Sequence, residues 1–183
     1  MKSVLISIQP RWCELIANGR KTIEVRKTRP KIETPFKVYV YMTKRNWIFK
    51  LLPFLKNRFA KVIGEFVCDR IICCQAYYND CGKKHLTNLF GVDTSKICLS
   101  ESEIFDYIIG KDKKDDIGWL WHISDLKIYD KPKEIYNFHR ICNKKCSPRC
   151  DWYIEHDYTD CGCGGKPNIT RPPQSWMFVE EIN

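Results

Sequence analysis

Four cations and one carboxylate fall within nine residues at Gly19-Arg20-Lys21-Thr22-Ile23-Glu24-Val25-Arg26-Lys27. In an extended chain, side-chain alternation puts Lys21, Ile23 and Val25 on one face and Arg20, Thr22, Glu24 and Arg26 on the other. Such a polar row is poor core material, but its residue types suit a phosphate or the polar edge of a base. Glu24 can accept from the amino group of cytosine or guanine, while Lys21 and Arg26 hold phosphate and Trp12, Trp121 or Trp176 stacks on the ring. The structural alternative is that Glu24 pairs with Arg26 or Arg11 and orders a corner of the chain. For Trp119 and Trp121, packing in the core is the expected role.

A second cluster is made of thiols. Cys142, Cys146 and Cys150 are spaced by three residues, Cys161 and Cys163 follow, and His139 and His156 lie nearby. Cys142, Cys146, Cys150 and Cys161, with Cys163 as the alternative fourth ligand, are candidates for a structural Zn²⁺ that staples an irregular segment. The other reading is a set of reduced, partly buried thiols. Cys73 and Cys74 are adjacent and point to opposite strand faces, so they form a poor ligand pair. Cys13, Cys68, Cys73 and Cys98 read as small core residues.

The elements that must position these residues start with a strand at Val4 to Ile8. A helix follows from Pro10 to Asn18, with Pro10 in its first turn, Trp12, Leu15 and Ile16 as its apolar stripe and Gly19 as its stop. Strands are expected at Thr22 to Lys27, Lys37 to Met42 and Val62 to Ile72. Ser100 and Glu103 have capping-box spacing, which predicts a helix from Glu101 to Ile109 ending at Gly110. Later strands are expected at Gly118 to His122, Leu126 to Tyr129 and Ser175 to Glu180, with a short helix from Pro132 to Phe138. Helices punctuate the sheet instead of alternating with it, which favours a closed or nearly closed mixed barrel over a doubly wound parallel sheet.

Charge is local. Residues 1–61 carry 15 Lys and Arg against 3 Glu, and the remainder carries 16 against 19 acidic residues, within a net charge of +9. That asymmetry is an expected footprint for a polyanion, although a merely solvated basic surface has the same composition. The segment from Lys44 to Lys61 interleaves Trp47, Phe49, Phe54 and Phe59 with Lys44, Arg45, Lys50, Lys56 and Arg58, the combination that single-strand binders use. It also reads as an insertion packed on the sheet, and Pro53 argues against one long membrane-surface helix.

The order Gln9-Pro10-Arg11-Trp12, a helix, then Gly-Arg-Lys-Thr-Ile-Glu-Val-Arg resembles the ASCH domain, a branch of the PUA-like superfamily of small β-barrels associated with RNA. Val62-Ile63-Gly64-Glu65-Phe66, Trp121-His122-Ile123-Ser124-Asp125-Leu126 and Pro172-Pro173-Gln174-Ser175-Trp176 are similar to later strands of small ASCH proteins carried by bacteria and phages. The resemblance implies an α+β fold, a PUA-like, mostly antiparallel barrel with peripheral helices, as a single domain over 1–183 with insertions at 44–60, 75–98 and 142–170. It also implies a ligand cleft beside strand 22–27, with Arg11, Trp12, Lys21, Thr22, Glu24, Arg26, Lys27, Glu65, His122, Ser175 and Trp176 as candidate contacts. Some relatives are amidohydrolases using a Lys and a Thr of this strand; Lys21 matches the Lys, but Glu24 holds the place of the nucleophilic Thr. A carboxylate is a poor replacement for an activated hydroxyl. A ribonuclease would need a base such as His122 or Glu65 beside Lys21 and Arg26.

With 183 residues and 44% hydrophobic content the chain can bury a sizeable core. The apolar run Val4 to Ile8 is too short for a signal-peptide core and no stretch approaches the roughly 20 residues of a membrane span, so a soluble cytoplasmic protein is expected. The expected function is binding of RNA or a modified nucleotide in a basic cleft. The alternatives are a hydrolase acting on a nucleoside or RNA, with Lys21 and Glu24 as candidate catalytic residues, and a phage-type module that inhibits a protein partner.

Overall fold

The computed structural model describes residues 2–44, 57–89, 91–110, 116–141 and 168–182. Two compact units emerge, one of Met1–Pro10, Lys37–Glu65 and Ile128–Asn183 and the other of Arg11–Phe36 and Phe66–Lys127. Nine strands and two α-helices are present among the described residues: β1 (Lys2–Ile8), α1 (Pro10–Ala17), β2 (Ile23–Arg26), β3 (Phe36–Met42), β4 (Lys61–Cys68), β5 (Ile71–Tyr78), β6 (Lys84–Leu86), α2 (Glu101–Ile109), β7 (Ile117–His122), β8 (Ser124–Lys133) and β9 (Trp176–Glu180). They form a five-stranded sheet in the order β8-β4-β3-β1-β9 and a four-stranded sheet in the order β2-β7-β5-β6.

The expected barrel is therefore corrected to two open sheets. The continuous strand expected at Val62 to Ile72 is in fact β4 and β5, broken at Asp69 and Arg70, and the break sends β5 into the other sheet. A second such transfer occurs at Ile123, between β7 and β8. The short helix expected at Pro132 to Phe138 is also corrected. β8 runs through Pro132 to Lys133, and only Ile135–Asn137 turns, as a 3₁₀ helix. Pro132 lacks an N–H, which is tolerable because β8 is an edge strand of its sheet.

In the first unit, β1 pairs in parallel with β3 and antiparallel with β9. β1 is buried on both faces from Ser3 onward, so its apolar run is continuous instead of alternating. Its core gathers Leu5, Tyr39, Tyr41, Val62, Tyr129, Phe138, Ile169 and Val179. Tyr39 Oη accepts from the Ile182 amide at 2.8 Å, so a fully buried phenol fastens the chain's last described turn to β3. Burial raises the pKa of that phenol.

In the second unit, Ile23 and Val25 of β2 face a core of Cys74, Ala76, Ile97, Ile104, Phe105, Ile108 and Leu120. The expected capping box is present on α2: Ser100 accepts from the Glu103 amide at 3.3 Å, and the Glu103 carboxylate accepts from the Ser100 amide at 2.8 Å. Gly110 closes the helix at φ +65°. Thiol packing partly follows expectation. Cys13 and Cys68 are buried, but Cys74 and not Cys73 enters the core, and Cys98 sits in the left-handed region at φ 58° after the 3₁₀ helix Thr94–Ile97.

Two outcomes follow from this packing. Ser100→Ala should cost about 1 kcal/mol, seen as a melting temperature lower by about 2–4 °C in a chain of this size. Burial pushes the thiols of Cys68 and Cys74 up to about 12 and about 11, and that of Cys13 higher still, so their thiolates are scarce. Timed alkylation of the folded chain, read by peptide mapping, should label exposed Cys81 well before these three.

Candidate functional site

α1 ends at Ala17, and Gly19 takes φ +72°, turning the chain so that the Lys21 amide donates back to the Leu15 carbonyl at 2.9 Å. Thr22 is tied across to the Lys96 carbonyl at 3.0 Å. Strand geometry begins only at Ile23, not at Thr22 as expected, so Lys21 is outside the alternation of β2. This overturns the expected opposition of Lys21 and Glu24. Lys21 Nζ lies 3.4 Å from a Glu24 carboxylate oxygen and donates to the carbonyls of Ile23 at 2.8 Å and Ile97 at 2.7 Å.

The other Glu24 oxygen lies 3.0 Å from the Arg26 guanidinium, as their common strand face predicts. Lys21 is 2% exposed, and Glu24 and Arg26 are each 7% exposed. This is a buried ion line whose ammonium is held by two backbone carbonyls and by the Glu24 charge. Trp12, half-buried on α1, carries the Arg11 guanidinium 4.5 Å from its ring centroid and Lys21 Nζ 5.3 Å from it. Beneath them, Cys13 owes its raised pKa first to burial and then to the Glu24 charge. Tyr107 of α2 is desolvated at its phenol, and the Arg26 and Glu24 charges act on it in opposite directions.

β7 lies antiparallel beside β2, with Glu24 opposite Trp121 and Ile23 opposite His122. Trp121 is fully buried and meets Phe36 edge-on at 5.9 Å, so its expected core role holds. Trp119 is half-buried, with the Arg29 guanidinium 5.0 Å over its ring. His122 Nδ1 is 2.6 Å from a carboxylate oxygen of Asp69. Lys27 is half-buried at the end of the same segment.

Glu65, Ser175 and Trp176 belong to the first unit. The Tyr129 hydroxyl donates to Glu65 at 2.5 Å, and Lys37 lies 4.0 Å from its second oxygen and 2.8 Å from Glu181. Burial, then the Glu65 hydrogen bond, raises the Tyr129 pKa. The Ser175 carbonyl accepts from the Ser7 amide, and Trp176 pairs with Ile6 and packs edge-on against Phe178 at 5.5 Å. The Ile97 carbonyl, Asp69 and Arg70 were missed by sequence reasoning. A backbone acceptor has no residue signature, and the Asp69-Arg70 pair was hidden inside an assumed strand.

The candidate Zn²⁺ ligands Cys142, Cys146, Cys150, Cys161 and Cys163, and the basic aromatic residues 45–56, lie outside the described residues. Among the described residues no group of His, Cys, Asp or Glu is arranged to hold a metal, and no helix is long and apolar enough to cross a membrane.

Removing one partner from a buried ion pair typically costs about 3–5 kcal/mol, because a charge is left uncompensated. Lys21→Met should therefore destabilise strongly, and adding Glu24→Gln should recover part of the loss. Urea unfolding of the double-mutant cycle measures that coupling. Additive losses would mean that the two side chains do not depend on each other.

No protein-family model matches the sequence, and no curated protein does. Solved structures do match. The crystal structure of ASCH from Zymomonas mobilis aligns over 98% of this chain and 88% of its own, with a TM-score of 0.55 and 17% identity. A tyrosine-to-phenylalanine mutant of that protein aligns over 99% of this chain and 92% of its own, with the same TM-score and 16% identity. A serine-to-alanine mutant covers 98% and 89%, again at 0.55 and 16%. At such identities the likeness is one of backbone arrangement, and it agrees with the α+β order of strands and two helices described above. The chain thus has the α+β fold of these Zymomonas mobilis ASCH structures.

Proposed function

We propose that this chain binds unpaired RNA, or a modified nucleotide, at the corner where α1 hands over to β2. The observation that carries this reading is Glu24, a buried carboxylate fixed on one oxygen by Lys21 and on the other by Arg26. Each oxygen keeps a further lone pair, and such an acceptor recognises the amino edge of a base with little reorganisation. Trp12 supplies a stacking face, and exposed Arg11 supplies a cation at the same ring. The basic N-terminal third supports the same class of ligand.

Because buried Lys21 already donates to two carbonyls and pairs with Glu24, its role is to hold Glu24, and phosphate contact falls to Arg11 and Lys27. A hydrolase is the second reading, and the Asp69–His122 pair favours it, since a carboxylate on one ring nitrogen leaves the other to take or give a proton. Nothing in the Lys21 and Glu24 geometry provides the activated hydroxyl that amide cleavage needs.

The test is binding of the purified chain to short single-stranded RNA at two salt concentrations. Trp12→Ala should weaken binding by about 1–3 kcal/mol if one base stacks there, and Arg11→Ala or Lys27→Ala should each lower the salt slope by about 1. Equal binding by wild type and all three variants would overturn the site. Cleaved product in the same samples would move the assignment to the hydrolase, and capture of one protein without any RNA affinity would move it to the inhibitor module.

A further inference from the structure

A pocket of about 180 Å³ opens beside the start of β2, lined by Thr22, Arg70, Lys96 and His122 over an apolar floor that includes Ile72 and Val92. We propose that it is a phosphate pocket, taking the terminal phosphate of an oligonucleotide or a free phosphate ion. Its wall carries two cations, Arg70 and Lys96, both exposed. Neither makes a side-chain hydrogen bond or ion pair among the described residues. Every other ammonium or guanidinium in the nearby ion line is already matched by an acceptor.

The wall also carries one carboxylate, Asp93, but that group is occupied. It caps the 3₁₀ helix Thr94–Ile97, accepting from the Ser95 amide at 3.1 Å and the Ser95 hydroxyl at 2.6 Å, and the Lys96 charge acts on it. His122 presents the third nitrogen group. Its Nδ1 faces Asp69 at 2.6 Å, which fixes the ring's orientation and leaves Nε2 for a ligand. The wall is thus net positive.

Size decides what kind of ligand fits. Pockets for drug-sized ligands run to about 300–1,000 Å³, so this one accommodates a phosphoryl group and a few attached atoms, not a whole nucleotide. An arginine fork, a lysine point charge and a histidine N–H are the donors that phosphate sites use. In naming the phosphate as an oligonucleotide end, the proposal rests on the RNA-binding reading; its residues are separate from Trp12 and Glu24.

The test uses the full chain and two probes: inorganic phosphate, and one short RNA sequence made with either a 5′-phosphate or a 5′-hydroxyl end. Phosphate should shift the His122 ring resonances in a saturable titration. Arg70→Ala/Lys96→Ala, both at exposed positions, should weaken phosphate binding roughly tenfold or more. Wild-type RNA binding should favour the phosphorylated end.

Unmoved His122 resonances, or a double variant that binds phosphate as well as wild type, would overturn the pocket. If hydroxyl-ended RNA still binds in that case, the RNA reading survives alone. If phosphate binds but no RNA does, the RNA reading fails and the pocket is a free-phosphate site.

Discussion

A lysine ammonium 2% exposed to solvent is the constraint on which the second unit's corner depends. Taking an ammonium out of water costs several kcal/mol even after relaxation, and hydrogen bonds to a charged group return about 1.5–3 kcal/mol each. Two backbone carbonyls, of Ile23 and Ile97, supply such bonds, and the Glu24 carboxylate 3.4 Å away supplies the countercharge. The 3₁₀ helix Thr94–Ile97 must therefore end where it does, which gives a purpose to its Asp93 cap and to the bond from Thr22 to the Lys96 carbonyl. Glu24 is placed by the same ammonium, and Arg26 is placed by Glu24. The charges along β2 are in this sense a chain of matched partners that begins at Lys21.

What was legible in the sequence was local. Pro10 and Gly19 bracket α1, and Ser100, Glu103 and Gly110 bracket α2, because each of these residues does its work within one turn of the element it bounds. Strand alternation placed Glu24 and Arg26 on a common face correctly, since both lie inside β2. It failed for Lys21, two residues before the strand, where the chain is still leaving the helix. The Ile97 carbonyl could not be read at all: it is 76 residues from Lys21 along the chain and has no residue-type signature. The break between β4 and β5 was hidden for a related reason. Asp69 and Arg70 carry neither Gly nor Pro, and apolar residues on both sides make one long strand of what the structure divides between two sheets.

Three acidic residues show how far environment outweighs residue type. Glu24 has cations on both oxygens, which suits a fixed acceptor. Glu65 takes a hydrogen bond from the buried Tyr129 hydroxyl and sits near Lys37, an arrangement that secures β4 to β8 within the first unit. Asp69, on a two-residue turn, holds a histidine. From sequence, His122 and Glu65 were the candidate bases, and Asp69 was not singled out. Geometry adds Asp69 to His122 as its partner, whereas Glu65 is engaged by the Tyr129 hydroxyl.

The same sorting applies to the basic residues and changes what the charge asymmetry means. Within the second unit, Lys21 and Arg26 are buried and matched to Glu24, whereas Arg11, Arg20, Arg29 and Lys31 are exposed. If a polyanion docks, the salt dependence of its binding would belong to the cations that reach solvent, this exposed set and half-buried Lys27. The buried set is insulated from salt, because screening acts weakly on charges removed from water. Affinity and selectivity would then be carried by different cations of one short segment: those at the surface gather any phosphate backbone, and those around Glu24 fix the acceptor that distinguishes one base edge from another.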